Sequence, residues 1–297
     1  MPANAPRMFV TAASGQLGRL VVECLLATVP PERIAAGVRN PASAADLASR
    51  GIELRVADYT RPDTLEAAFQ DVDRLLLISS NELGSRAPQH RNAIEAAKRA
   101  GVGQLAYTSL LHADTSTLGL AAEHRETEAM LRSAGIPWVL LRNGWYTENY
   151  LASLPSVLAH KAVLGSAGEG RIASAARADY AEAAARVLTS EADLAGQVLE
   201  LAGDEAYTLN ELATEIGRQA GSAIAYVNLP EAEYRATLVR VGLPEPLAAL
   251  LADSDAAAEQ GALFDQGGTL GRLIGRRTTP MAASVAAALA QKQPVGH

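Results

Sequence analysis

From the start of the chain to Asn143, short apolar runs alternate with longer amphipathic ones. The short runs are "RMFVTA" (7–12), "RIAAGVR" (33–39), "IELRVAD" (52–58), "RLLLIS" (74–79), "QLAYTSL" (104–110) and "WVLLRN" (138–143). They show little polar alternation, as strands do when helices cover both faces of their sheet. The stretches between them, near 17–28, 41–50, 62–70, 86–100 and 120–134, repeat apolar positions at helical spacing. Several end at glycine, as in "KRAGV" and "RSAGI", where a left-handed helix cap is expected. Strand and helix alternating in this rhythm predict an α/β fold on a doubly wound parallel sheet of Rossmann type.

After Asn143 the rhythm changes. "ARADYAEAAARVLTS" predicts a helix opened by Asp179, which serves as its N-cap, and "GQVLELAG" (196–203) predicts a strand returning to the sheet. "TLNELATEIGRQAG" predicts a helix capped by Thr208, with Glu211 completing a capping box. "IAYVNL" reads as a short strand, and the alanine-rich remainder to Leu289 as mainly helical. The expected organisation is a sheet domain of residues 1–145 with 174–203, and a smaller, mostly helical lid or substrate domain of 146–173 and 204–290. The segment 291–297, "QKQPVGH", is expected to be a disordered tail.

The 297 residues carry a formal charge of −7, which argues against a nucleic-acid binder with its usual basic face. Cys24 is the single cysteine, so neither a disulfide framework nor a cysteine metal cluster is available, and no histidine or carboxylate cluster has metal spacing. No apolar run is long enough to span a bilayer and "MPANAPRMFV" lacks a signal-peptide core. A soluble cytoplasmic protein without a membrane partner is expected.

"TAASGQLG", Thr11 to Gly18, follows the first strand and opens a helix near Gln16. It nearly spells the three-glycine loop that holds a dinucleotide pyrophosphate, with Ala12 at the first glycine and Gly15 and Gly18 retained. In such loops the first glycine permits the turn, the second lets the backbone approach the phosphates, and the third lets the helix pack on the strand. Alanine replaces the first if its φ stays negative and its Cβ points away from the ligand, and that is the expectation for Ala12. Ala12, Ala13, Ser14, Gly15, Gln16, Leu17 and Gly18 are thus candidate phosphate-loop residues, aided by the helix N-terminus. The second strand ends in "GVRNP", with Arg39 and no carboxylate to grip a ribose. An arginine there pairs with a 2′-phosphate, so NADP is the expected cofactor.

None of the eight tyrosines has a lysine four residues on, so the Tyr-x-x-x-Lys pair of short-chain dehydrogenases is absent. Alcohol–ketone chemistry by that device, and sugar-nucleotide epimerisation, which needs the same pair, are disfavoured. His112 and His124 are expected to flank the mouth of a pocket. "EHRETE", Glu123 to Glu128, reads as the solvated face of its helix.

"VTAASGQLG", "LLLISS", "RAPQHRNAIEAAKRAGV", "YTSLLHADTS", "LLRNGWYTENYLAS" and "IASAARADYA" together resemble the NmrA-like branch of atypical short-chain dehydrogenases. Within it the resemblance is to the NAD(P)H:quinone oxidoreductase type 2 group. It implies a reductase that passes hydride from NADPH to a small-molecule quinone without a Tyr–Lys pair. It places Ser79, Ser80 and Asn81 beside the adenosine and ribose, and Asn143, Gly144, Trp145, Tyr146, Thr147 and Glu148 at the nicotinamide end. No catalytic residue is assigned; Tyr146, Asn143 and His112 are the candidates, and Tyr146 and Trp145 either stack on a quinone or pack between core and lid. A non-catalytic NADP-binding redox sensor acting through a protein partner stays open as the alternative, as does a homo-oligomer.

Overall fold

A computed structural model describes residues 6–291, so the expected tail from 292 on lies outside the described residues. The chain divides into two compact units. The first comprises the residues up to Ala113, Ala122–Asn143 and Tyr180–Leu199; the second comprises Asp114–Ala121, Gly144–Asp179 and the chain from Glu200 on.

The strands are β1 (Met8–Val10), β2 (Ile34–Val38), β3 (Glu53–Val56), β4 (Arg74–Leu77), β5 (Gln104–Leu110), β6 (Trp138–Asn143), β7 (Ala162–Gly165), β8 (Gln197–Leu201) and β9 (Ala225–Asn228). Seven of them form one sheet in the order β3-β2-β1-β4-β5-β6-β8, and the pairs from β3 to β6 run parallel. Met8 of β1 lies in register with Ile34 on one side and Arg74 on the other. Strand order thus reverses direction at β1 and β4, where doubly wound sheets open a crevice at the strands' carboxyl ends.

The helices of the first unit are α1 (Gln16–Leu26), α2 (Ala45–Ala48), α3 (Pro62–Ala68), α4 (Arg86–Ala100) and nearly all of α5 (Ala121–Ser133). Their inward stripes and the strands bury a core in which Phe9 meets Phe69 edge-on at 5.2 Å. Gly37 is needed in β2 because a Cβ there would stand 2.6 Å from the Phe9 ring. Gly101 ends α4 at φ 71°, the left-handed cap expected from "KRAGV".

The run "EHRETE" corrects its expectation. His124, Thr127 and Glu128 are buried, because α5 presents them to the sheet. Glu128 receives Arg142 of β6 bidentately, Nε to Oε1 at 2.9 Å and Nη2 to Oε2 at 2.8 Å, and also accepts the Ser109 hydroxyl at 2.6 Å. Mixed charge along a helix marks a solvated face only when no opposite charge waits beneath it; here Arg142 does.

The second unit carries α6 (Thr147–Leu151), α7 (Leu154–His160), the first turn of α8 (Arg177–Thr189), α9 (Leu209–Ala220), α10 (Glu231–Arg240), α11 (Glu245–Glu259), α12 (Thr269–Ile274) and α13 (Met281–Ala290). Thr208 and Glu211 form the expected reciprocal capping box on α9. Strand β7, which the sequence pattern did not reveal, pairs parallel with β9. Asp179 is not the N-cap of α8. The helix begins two residues earlier, and the Glu148 carboxylate takes the Arg177 N–H at 2.9 and 3.1 Å. Asp179 is instead fully buried and accepts from Arg276 Nη2 (2.7 Å), the Thr279 N–H (2.8 Å) and the Thr279 hydroxyl (3.0 Å).

Candidate functional site

In the first unit the candidate residues collect at the carboxyl ends of the parallel strands. Ala12–Gly18 follow β1, Arg39 follows β2, Ser79–Asn81 follow β4, His112 lies just past β5, and Asn143 ends β6. The loop after β1 is tied to its neighbour strand by the Ala13 N–H to the Gly37 carbonyl, 2.9 Å. Its turn is closed by the Gly15 N–H to the Ala12 carbonyl, also 2.9 Å. Thr11 underpins it, donating to the Leu76 carbonyl and accepting the Ile78 N–H.

Gly18 packs the helix against this turn as the third glycine should. A Cβ at 18 would lie 2.4 Å from the Ala12 oxygen and 2.8 Å from the Ala13 α-carbon. Gly15 is exposed and is the N-cap of α1; it offers no side-chain cap, and the first turn holds no acid. The first-turn N–H groups, which no helix satisfies internally, therefore face outward beneath a positive dipole end. Ala12 departs from expectation: its φ is +49°, not negative. The turn imposes the left-handed conformation whichever residue stands there, and the alanine bears the strain that glycine would avoid.

Arg39 is largely exposed, 72% for its side chain, and its Nη1 stands 3.5 Å from Glu82 Oε1. It also acts on Asp58, at the end of β3, whose carboxyl is held below its ordinary range although burial pushes it upward. Burial is the largest single influence, but the Thr60 N–H and hydroxyl and the charges of Arg39 and Arg61 together outweigh it.

Ser79–Asn81 lie above a buried polar network that the strand and helix pattern did not reveal. Ser79 donates its N–H to Thr108 Oγ1 at 2.8 Å, and Asn81 is exposed. Ser80 is fixed at three atoms by residues of α4. Its N–H donates to His90 Nε2 (2.9 Å), its hydroxyl donates to Gln89 Oε1, and its carbonyl accepts from Arg86 Nε (2.7 Å). Since Nε2 accepts, the His90 proton sits on Nδ1, facing Thr127 Oγ1 at 2.9 Å. Burial, reinforced by the Arg86 charge, pulls the His90 pKa down to about 3 and keeps the ring neutral. The available signal was positional: Arg86, Gln89 and His90 share the inward stripe of α4 with Ala93, Ile94 and Ala97. Polar residues at core spacing announce a network.

His124 is not at a pocket mouth. It is buried, with Nδ1 2.8 Å from the Tyr107 hydroxyl, and burial together with Arg86 holds it well below the ordinary histidine range. His112 is half-buried and has a left-handed φ of +51°. It adjoins Leu111, whose N–H donates to the Asn143 carbonyl at 3.0 Å, so the structure brings His112 and Asn143 to neighbouring strand ends. The Asn143 side chain is buried, and its Oδ1 accepts no hydrogen bond among the described residues.

In the second unit Gly144 donates its N–H to the Leu201 carbonyl at 2.7 Å, and Trp145 is buried. The Arg177 guanidinium covers the Tyr146 ring at 4.7 Å. Thr147 shares its hydroxyl with Ser174 at 2.8 Å, and Ser174 in turn meets the Tyr207 hydroxyl at 2.6 Å. Glu148 is committed to the start of α8, as above. Outside the candidate set, Asp255 is buried and accepts the Ser166 N–H at 3.1 Å and the Tyr150 hydroxyl at 3.4 Å. Burial raises its pKa to about 6 against the pull of those two donors. No helix among the described residues is long and apolar enough to cross a membrane.

The chain is 59% identical to quinone oxidoreductase 2 of Escherichia coli, over 93% of this chain and 96% of that protein. The crystal structure of that organism's NADPH-dependent quinone oxidoreductase, complexed with NADPH, matches 95% of this chain and 99% of its own with a TM-score of 0.93 and 58% identity. The triphenylmethane reductase of Citrobacter, complexed with NADP(H), matches at 35% identity and a TM-score of 0.90, over 95% of this chain and 99% of that one. The description NAD(P)H-binding fits residues 12–191, from the β1 turn through α8. With that match spanning well over half its length, and a reductase of the type 2 quinone oxidoreductase group alongside it almost end to end, the chain belongs to the NAD(P)H-binding family.

Proposed function

We propose that this protein is an NADPH-dependent quinone reductase, transferring hydride from NADPH to a quinone without a Tyr–Lys acid–base pair. The observation that carries the reading is the 59% identity to quinone oxidoreductase 2 across nearly the whole of both chains. The residues present fit the cofactor. A glycine packed against a carbonyl, a helix start with no side-chain cap and no acids, and an exposed arginine at the end of β2 are features a dinucleotide uses.

In this reading the backbone of Ala12–Gly18 holds the pyrophosphate, Arg39 pairs with the 2′-phosphate, and Ser79–Asn81 line the adenosine ribose. Asn143, at the end of β6, and Gly144–Glu148 are assigned to the nicotinamide end by sequence resemblance. When bound, the cofactor supplies a hydride. The chain supplies orientation, since aromatisation drives the reduction and a single proton from water completes the hydroquinone. Tyr146, Asn143 and His112 are proposed as groups positioning the quinone. The enzyme is taken as cytoplasmic and its substrate as a small molecule, with no nucleic acid partner. The sensor alternative has no observation of comparable weight behind it.

The test follows absorbance at 340 nm with NADPH or NADH and a benzoquinone or naphthoquinone, after subtraction of the uncatalysed rate. Quinone-dependent turnover that favours NADPH, with the preference lost in Arg39→Ala, is the expected result. NADPH binding without turnover would overturn the enzyme reading in favour of the sensor.

A further inference from the structure

We propose that Glu82 is a specificity-determining residue for the cofactor: its carboxylate competes with the 2′-phosphate for Arg39 and thereby sets how far NADPH is preferred over NADH. The proposal rests on the reading of Arg39 as the 2′-phosphate contact.

The end of β2 carries no acid, but the fold supplies one from elsewhere. Glu82, in the turn between β4 and α4, sets Oε1 3.5 Å from Arg39 Nη1. This is not a loose surface pair on both sides. Glu82 Oε2 accepts the Gln89 amide N–H at 2.5 Å, and Gln89 is 5% exposed. The Gln89 carbonyl in turn holds the Ser80 hydroxyl, and the Glu82 N–H donates back to Ser80 Oγ at 3.2 Å. His90 and Arg86 fix the other polar atoms of Ser80. The carboxylate is therefore aimed at Arg39 by a chain of buried groups, while the arginine stays exposed. Asp58 also acts on Arg39, but its own Oδ1 is taken by the Thr60 N–H and hydroxyl.

A 2′-phosphate arriving at Arg39 meets a guanidinium already engaged, and it must displace or share with Glu82. A cofactor without that phosphate leaves the pair intact and presents ribose hydroxyls beside a carboxylate, the group that dinucleotide sites use for an unphosphorylated ribose. The pair thus narrows the gap between the two cofactors. An exposed ion pair of this kind corresponds to an effect of about two- to fivefold in affinity.

The test is calorimetric titration of the full-length protein with 2′,5′-ADP and with ADP, in wild type, Glu82→Gln, Arg39→Ala and the double variant, alongside the kcat/KM ratio for NADPH over NADH. Expected is that Glu82→Gln tightens 2′,5′-ADP about two- to fivefold relative to ADP, and that the gain vanishes in the Arg39→Ala background. Glu82→Ala, which also removes the acceptor for Gln89, should show the same direction. If Arg39→Ala weakens 2′,5′-ADP but neither Glu82 variant tightens it, the competition is refuted and the Arg39 reading survives. A gain of full size in the Arg39→Ala background would also refute it, since Glu82 would then act on the phosphate directly. If Arg39→Ala leaves 2′,5′-ADP binding unchanged, the Arg39 reading itself falls and the proposal with it.

Discussion

Gly18 sits against the carbonyl oxygen of Ala12 so closely that any side chain at 18 would begin 2.4 Å from it. The contact is backbone to backbone, so no rotamer change relieves it. Gly18→Ala must push α1 away from the turn, at a cost of about 1–3 kcal/mol. The expected outcome is a lower urea midpoint together with roughly tenfold weaker NADPH binding, because the moved helix start is the phosphate site. Unchanged stability would show that the turn and helix are free to separate.

Ala12 points the other way. It holds φ +49°, a conformation that costs an alanine about 1 kcal/mol and a glycine nothing. Ala12→Gly relieves that strain, although part of the gain is offset by the greater freedom of glycine in the unfolded chain. A net stabilisation of up to about 0.5 kcal/mol is expected by chemical denaturation. A loss of stability would mean that the alanine methyl makes packing contacts worth more than the strain.

The Glu128–Arg142 pair, with both side chains 5% exposed or less, is expected to be far more sensitive. Glu128→Ala leaves the guanidinium buried without its bidentate carboxylate and removes the acceptor for Ser109. Loss of such a partner costs about 3–5 kcal/mol. The measurement is the unfolding free energy, and a change below about 1 kcal/mol, typical of a surface pair, would refute the burial argument.

Asp255 provides a pH signature. Its folded pKa is raised to about 6 from 3.8, so between those values the native state binds the extra proton. Stability contributed by this group is therefore present at low pH and is lost as pH rises from about 4 to about 6. Asp255→Asn cannot ionise, so its stability relative to wild type should climb across that window and level off above it. Denaturation midpoints of both proteins at a series of pH values would show this, and a flat difference would exclude the raised pKa.

The parallel sheet was legible because β1, β2, β4, β5 and β6 are largely apolar on both faces, with only the edge strand β3 mixed, and because the longer helices between them carry a regular stripe. The phosphate loop was legible from Gly15 and Gly18 in their strand-to-helix setting, but the backbone of Ala12 was not, since the turn geometry and not the residue type decided its φ. The roles of Asp179 and Glu128 escaped for a related reason. Each looked like a local device, a cap or a solvated face, and each found its partner on another element, at Thr279 and Arg142. Glu82 was invisible because its meaning lies in a juxtaposition of the second and fourth strand ends.

The first unit is not a continuous piece of chain. Its last segment, Tyr180–Leu199, arrives only after the chain has run through Gly144–Asp179 of the second unit. On a ribosome the sheet domain therefore cannot finish until residue 199 has emerged, and a fragment ending at Asn143 lacks most of α8, including the fully buried Tyr180, Val187 and Leu188. The two units are bound to one biosynthetic schedule, and neither can be inherited, truncated or swapped as a cassette without cutting the other.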